Sequence, residues 1–301
     1  MDFSKVHKVS WYPGHMLKAE RQLKEKLQAV DLILELVDAR APGTTRNFQV
    51  QDMVAHKARL TILGKTDLAS REQTKAWKKW FAEQNQPCYA IHHQQKQSFK
   101  QLAGIMLEVA RQDPRSRFGR LKYKRAMRAM VVGTPNVGKS TLINTLAGGR
   151  RAQTGAKPGV TRSQQWVLIG KDIELLDTPG IMYPNIQSPE AGLKLGLCAL
   201  LKDKIVPDDL LCEYLLFQVK QQERLDLLGA YDLVDYPETV SDMLQQIGTR
   251  LGVLSPGGEV DVIQTARRIV HDYQHGKLGA ISFESPETFL AEQAAIADAE
   301  D

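Results

Sequence analysis

Long hydrophobic runs are missing from this 301-residue sequence. None approaches the roughly 18 apolar residues that suggest a bilayer span. The N-terminal MDFSKVHKVSWYPGH has no apolar stretch of the kind a secretory signal carries. Both absences point to a cytoplasmic protein. Cysteine is scarce: Cys88, Cys198 and Cys212 are scattered without disulfide or metal-ligand spacing and are expected to be reduced thiols. Internal repeats are also lacking. The hydrophobic share, 43%, suffices for a packed core. Net charge is only +5, but it is uneven. Between Arg111 and Arg128, eight cations, including Arg115, Arg117, Arg120, Lys122, Lys124 and Arg125, face the single acid Asp113, whereas the tail from Glu284 onward is acidic. Such a basic cluster attracts polyanions, unless it is simply a solvated linker.

Residues 17–29 place leucines among charges in the manner of an amphipathic helix. DLILELVDAR and RLTILGKTDL read as strands buried on both faces, and PCYAIHH as a weaker third. A helix over 71–84 presents Trp77, Trp80 and Phe81 at core-facing spacing. AMVVGTPNVGKSTLINTLAG then reads strand, loop, helix; QQWVLIG and DIELLDTPG are two further strands joined at Gly170-Lys171. This alternation predicts an α/β fold with a mostly parallel sheet and helices on both faces. After about residue 205 the pattern is helical, with a turn at Ser255-Pro256-Gly257-Gly258. The expected division is a nucleotide-binding domain over 1–195, an all-helical domain over 196–285 and a flexible acidic tail over 286–301.

Gly133-Thr134-Pro135-Asn136-Val137-Gly138-Lys139-Ser140 fits the P-loop pattern G-x-x-x-x-G-K-[ST], after a strand and before a helix. Backbone N–H groups from Asn136 to Thr141, Val137 and Gly138 included, would cradle phosphates at a helix N-terminus. Lys139 would place a charge on the β- and γ-phosphates, and the Ser140 hydroxyl would coordinate Mg²⁺. Asp177-Thr178-Pro179-Gly180 ends an apolar strand with a second Mg²⁺-binding residue, Asp177, and a glycine whose N–H can meet the γ-phosphate. Thr161, in KPGVTR, has the setting of a switch threonine completing the Mg²⁺ shell. A plain loop position is the other reading.

Gly64-Lys65-Thr66-Asp67 resembles the N-K-x-D guanine motif of Ras-like GTPases: a lysine stem against the base and an aspartate accepting from guanine N1 and N2. Adenine lacks those donors and would leave the carboxylate unpaired. Gly64 stands where asparagine is usual. The motif precedes the P-loop instead of following it, so the order is circularly permuted, with 111–128 joining the old termini. The next superfamily element should fall near Ala90–His93, where the match is poor.

Ser10-Trp11-Tyr12-Pro13-Gly14-His15-Met16, Asp38-Ala39-Arg40-Ala41-Pro42, the segment from Lys157 to Trp166, and Gly257-Gly258-Glu259-Val260-Asp261 with Gly276-Lys277-Leu278-Gly279 together resemble the ribosome biogenesis GTPase A family. The resemblance covers nearly all of the chain. It implies a permuted GTPase that takes GTP and GDP with Mg²⁺. Its expected partner is the large ribosomal subunit, rRNA and ribosomal proteins alike, late in assembly, and it is expected to be monomeric off the ribosome. GTP would permit docking, and hydrolysis would release it. The usual water-orienting glutamine is replaced by Ile181, a substitution the family shares, and His15 is the residue the resemblance offers instead. Local packing is the alternative for His15. The catalytic set is then His15, Lys139, Thr161 and Gly180. Asn136 matches an asparagine that helps hold K⁺ in related GTPases. Asp38 and Arg40 read as a structural turn pair. Arg267 and Arg268 on a predicted helix, and Lys277 following it, are candidate RNA contacts, unless they form an ordinary solvated face.

A different class of function stays open: an RNA-binding assembly factor in which nucleotide is a regulatory ligand and turnover is negligible. An ATPase or small-molecule kinase is disfavoured by Lys65-Thr66-Asp67. With Ile181 in place of glutamine, the isolated protein is expected to hydrolyse GTP at on the order of 10⁻³ s⁻¹ or less. His15→Ala should keep nucleotide and particle affinity while losing most stimulated turnover. Wild-type stimulation in that variant removes His15 from the mechanism.

Overall fold

This computed structural model describes residues 21, 23–92, 95–121, 125–148, 166–178, 186, 188–201, 205–233 and 237–300. Six strands form one sheet among them: β1 (Leu32–Asp38), β2 (Ala58–Gly64), β3 (Cys88–Ala90), β4 (Met127–Val132), β5 (Trp166–Ile169) and β6 (Ile173–Leu176), in the order β3-β2-β1-β4-β6-β5. All neighbours are parallel except β5 and β6. That exception follows from the connection: a three-residue turn, Gly170-Lys171-Asp172, with Gly170 at φ 62°, can only join antiparallel strands.

The sheet is covered on both faces, which is why β1 is apolar almost throughout and buried at every position. Leu32, Leu34 and Leu36 enter one core cluster, while Ile33 and Val37 point into clusters on the opposite face. α1 (Phe48–Val54), α2 (Arg71–Glu83), α3 (Lys96–Gln112) and α4 (Lys139–Leu146) connect or flank the strands. Ser70 caps α2 by accepting from the Gln73 N–H, and Trp77 and Phe81, one turn apart, are its buried stripe.

Beyond β6 the described elements are helical: α5 (Pro189–Leu197), α6 (Asp208–Gln221), α7 (Val240–Leu251), α8 (Val262–Gln274) and α9 (Pro286–Glu300). The turn at 255–258 forms as expected from its glycines, flanked by a bridge between Leu254 and Val260. The boundary anticipated at 195/196 falls inside α5, whose residues from Ala191 to Leu197 are all buried. One apolar core runs on from the sheet into the helices, so sequence composition changes there while packing does not.

The acidic tail also departs from expectation. Instead of a flexible end, residues 286–300 form α9. Phe289 is buried with Trp77 at 5.7 Å between ring centroids and stacks with Phe48 at 6.4 Å. Its ring occupies the space a side chain at position 43 would need, which explains Gly43. Phe289, with Glu292 paired to the buried Lys194, seats this acidic, alanine-rich segment, and composition masks that signal. Phe289→Ala should cost about 3 kcal/mol. Urea unfolding measures this, and a loss under about 1 kcal/mol would mean that α9 is only lightly seated.

Candidate functional site

The carboxyl ends of parallel strands are where such sheets place ligands. β1 lies between β2 and β4, pairing Asp38 with Gly64 and Glu35 with Val132. That register puts the loop after β4 beside the loop after β2, although 65 and 133 are remote in sequence. Leu36 touches both sides. The Cβ of any residue at 64 would lie 3.1 Å from Leu36 Cδ1, and one at Gly138 4.0 Å from Leu36 Cδ2. Leucine therefore fills the region between the two loops where the superfamily asparagine would start, and Gly64 leaves no hole.

The loop 133–138 turns through three left-handed positions, Gly133 at φ 152°, Asn136 at 58° and Gly138 at 109°. At Gly133 a Cβ would stand 2.5 Å from the Leu36 carbonyl, so only glycine fits. Val137 is buried and anchors the loop. Gly138 then opens α4. Asn136 and Thr141 lie on the exposed side. Inside the curl, Lys139 Nζ donates to the carbonyls of Gly133 at 3.1 Å and Thr134 at 2.8 Å. Burial pushes its pKa down to about 8, only partly opposed by Asp177.

Ser140 Oγ donates to Asp177 Oδ2 at 2.8 Å. The other oxygen, Asp177 Oδ1, is buried without a hydrogen-bond partner among the described residues. Burial raises the Asp177 pKa, against the opposing pull of Ser140 and Lys139. A hydroxyl beside a desolvated carboxylate with an unused oxygen is a donor set that suits Mg²⁺.

At the other loop, Lys65 adopts φ 56° and its Nζ lies 3.0 Å from Asp38 Oδ2. Thr66 Oγ1 donates to the Ile91 carbonyl at 2.8 Å, bringing segment 90–92 against the motif despite its poor sequence match. Asp67 Oδ1 is buried with no hydrogen-bond partner among the described residues. An orphaned carboxylate oxygen costs free energy unless a donor meets it, and guanine N1 and N2 supply that donor pair.

Residues 128–236 match the family described as 50S ribosome-binding GTPase. A Bacillus licheniformis protein named Ribosome biogenesis GTPase A is 40% identical over 283 residues, spanning 93% of this chain and 99% of that protein. The chain belongs to the ribosome biogenesis GTPase A family. A Xenopus tropicalis relative named Mitochondrial ribosome-associated GTPase 1 is 32% identical over 93% of the chain and 96% of its own length. Among solved structures, GNP-bound YlqF from Thermotoga maritima superposes with a TM-score of 0.61 at 28% identity, covering 90% of this chain and 99% of that one. The GDP-bound form gives 0.62, over 89% and 100%. The chain is thus a guanine-nucleotide-binding GTPase with its motifs in permuted order.

Of the residues read from the sequence, Lys65, Thr66, Asp67, Asn136, Val137, Gly138, Lys139, Ser140, Thr141 and Asp177 lie on the loops and helix start that follow β2, β4 and β6. His15, Thr161, Gly180 and Ile181 lie outside the described residues. Thr66 is engaged by backbone rather than pointing free. Two residues escaped sequence reasoning. Thr134 occupies a variable position of the pattern, yet its Oγ1 is buried and without a hydrogen-bond partner among the described residues. Asp38, read as half of a turn pair, also grips Lys65. Motif spacing carries no signal for either.

The Lys139 environment sets a pH dependence. Its folded pKa near 8 lies below its ordinary value, so the neutral amine gains above pH 8, whereas bound phosphates require the ammonium. By linkage, GDP affinity should fall about tenfold from pH 7 to pH 9. Titration calorimetry over that range checks it; a flat profile would mean that Lys139 is fully charged before nucleotide arrives.

Proposed function

We propose that this GTPase is a switch for the large ribosomal subunit, acting late in its maturation. The GTP form docks on the immature particle, and particle-stimulated hydrolysis releases it. The observation that carries the reading is the pair of buried carboxylate oxygens, on Asp67 and Asp177, that have no hydrogen-bond partner among the described residues, at either side of the Lys139 loop. The names of its relatives supply the ribosome. The protein works in the cytoplasm and is monomeric off the particle; no described helix is long and apolar enough to cross a membrane.

In this reading Asp67 takes the guanine edge and the Lys65 stem lies on its face. Backbone N–H groups of Asn136, Val137, Gly138, Lys139, Ser140 and Thr141 receive the phosphates. Lys139 leaves its two carbonyl partners for the β- and γ-phosphate oxygens, where its charge stabilises the transition state. Ser140, Asp177 and Thr161 would hold Mg²⁺, which would supply positive charge against the phosphates. Gly180 donates its N–H to the γ-phosphate, Asn136 helps hold K⁺, and His15 orients water once the particle positions it.

The RNA surface we favour differs from the simple sum of joiner cations. Arg115, Arg125 and Arg128 are already paired with Asp113, Asp31 and Glu174. On α8, Arg267 pairs with Asp208 and Arg268 with Asp272, which also takes Lys277 just beyond the helix. Lys24, His56, Lys57 and Arg117 converge with Leu27 and Met53 on a cleft of about 380 Å³, and among the described residues no carboxylate lines it. Lys57 is buried and donates to the Val30 carbonyl at 3.1 Å; burial, then Arg117, lowers its pKa. A phosphate there would relieve two crowded cations.

GTP turnover measured with immature and mature large subunits tests the reading. Immature particles should raise the rate at least a hundredfold, to about 0.1 s⁻¹ from the unassisted order, and mature ones far less. Lys24→Glu with Arg117→Glu should weaken particle binding and flatten its fall between about 50 and 200 mM salt. Equal turnover with and without particles overturns the switch; an unchanged salt slope removes the cleft.

A further inference from the structure

Asp38 closes β1 with a carboxylate that is fully buried. Its Oδ1 accepts from Arg40 N at 3.1 Å and Arg40 Nε at 2.8 Å. Its Oδ2 accepts from Arg40 Nη2 at 2.8 Å and lies 3.0 Å from Lys65 Nζ. Burial alone would raise the Asp38 pKa, but Arg40 and Lys65 hold it well below the carboxylate range. A turn needs no such arrangement. A neutral asparagine or a serine would close it without bringing three charges out of water.

The same cations reach across to the helical part. Arg40 Nη2 donates to the Cys198 carbonyl at 3.0 Å and Nη1 approaches the Leu197 carbonyl at 3.5 Å. Lys65 Nζ donates to the same Cys198 carbonyl at 3.3 Å. Residues 197 and 198 end α5, where helix carbonyls are left over and the dipole is negative. The Arg40 guanidinium sits 5.5 Å from the ring centroid of Tyr273 on α8. Behind it, the Arg40 carbonyl accepts from Phe283 N at 2.8 Å, and Glu284 accepts from the N–H groups of Gly43 and Thr44. The turn after β1 is thereby held between the guanine motif on one side and α5, α8 and the 283–284 segment on the other.

We propose that Asp38 is a positioning residue for Lys65, and that the Asp38–Arg40–Cys198 cluster couples occupancy of the guanine site to the seating of the helical domain. The proposal rests on the reading of Lys65 and Asp67 as the base site. The Lys65 ammonium is fixed at two points, so the place of its stem over the base depends on where α5 ends. Coupling is reciprocal: if seating the helices favours guanine nucleotide, the nucleotide favours the seated helices by the same factor. The helical part would then feel nucleotide through the base as well as through the γ-phosphate.

Equilibrium binding of fluorescent GDP and of IDP, which lacks the 2-amino group, separates this from a merely structural tie. Arg40→Gln and Tyr273→Leu lie outside the base site, and each should weaken GDP by about five- to fiftyfold in folded protein. Asp38→Asn should weaken GDP and IDP by the same factor, because a lysine stem on the ring face does not sense the amino group. Asp67→Asn should change the GDP-to-IDP ratio. In the wild type, GDP should slow amide exchange at residues 197–201 and at Phe283, and this protection should vanish in Arg40→Gln. If Arg40→Gln does not fold, Tyr273→Leu and the wild-type exchange measurement still decide. Lower stability with unchanged GDP affinity, or no GDP-dependent protection in the wild type, overturns the coupling. If Asp67→Asn binds GDP as the wild type does, the base-site reading itself has failed. Loss in Asp67→Asn alone defeats only the coupling.

Discussion

The parallel pairing of β1 between β2 and β4 is the constraint on which the nucleotide end depends. Seven registered pairs hold β1 to β2 and four hold it to β4, so the loops that follow these strands emerge side by side. Hydrogen bonds across a sheet do not register the order in which its strands are made. A chain that presents its guanine motif before its P-loop reaches the same site as one that presents it after. The joining segment only has to span old termini that lie near each other. Leu36, at the end of β1, shows how local the fit is, because one leucine touches the cradle on one side and Gly64 on the other.

Around that apolar frame sit charges whose burial is justified only by their partners. Asp38 meets Arg40 and Lys65, while Lys194 meets Glu284, Glu190 and Glu292. Burial pushes the Glu284 pKa up to about 7 in spite of Lys194 and the N–H groups of Thr44 and Gly43. Breaking a buried pair costs more than making it gains, typically about 3–5 kcal/mol for removal of one partner. Such clusters are therefore poor sources of stability and good devices for fixing a unique arrangement. Both lie where the turn after β1 meets the helical part. The seam between sheet and helices is thus specified by charge, while the apolar core beneath it is continuous.

The strands that read most clearly in the sequence, β1 and β2, are those buried on both faces, where hydrophobicity is unbroken. The helix Arg71–Glu83 read equally well because Ser70 and its aromatic stripe are local features. The poor match at Ala90–Ile91 had a different cause. That segment contributes a backbone carbonyl to Thr66, and a carbonyl is common to every residue type. The acidic tail misled for the converse reason. Its composition is that of a solvated end, and the seating of α9 depends on Phe289 finding Trp77 and Phe48, which lie far away along the chain.

The sequence by itself determined the pattern: a glycine-shaped phosphate loop, a lysine and an aspartate resembling a guanine motif, a serine and an aspartate of the type that suits a divalent cation, and the permuted order of these parts. Each of those is a short pattern whose residues act within a few positions of one another, so spacing carries the information. Only the tertiary structure decided which joiner cations are already paired, that Leu36 occupies the region beside Gly64, and that Asp38 and Arg40 link Lys65 to the end of α5. Those facts are meetings between residues distant in the chain. They are set by sheet register and by the cost of leaving a buried charge or carbonyl unpaired, and no local pattern records either.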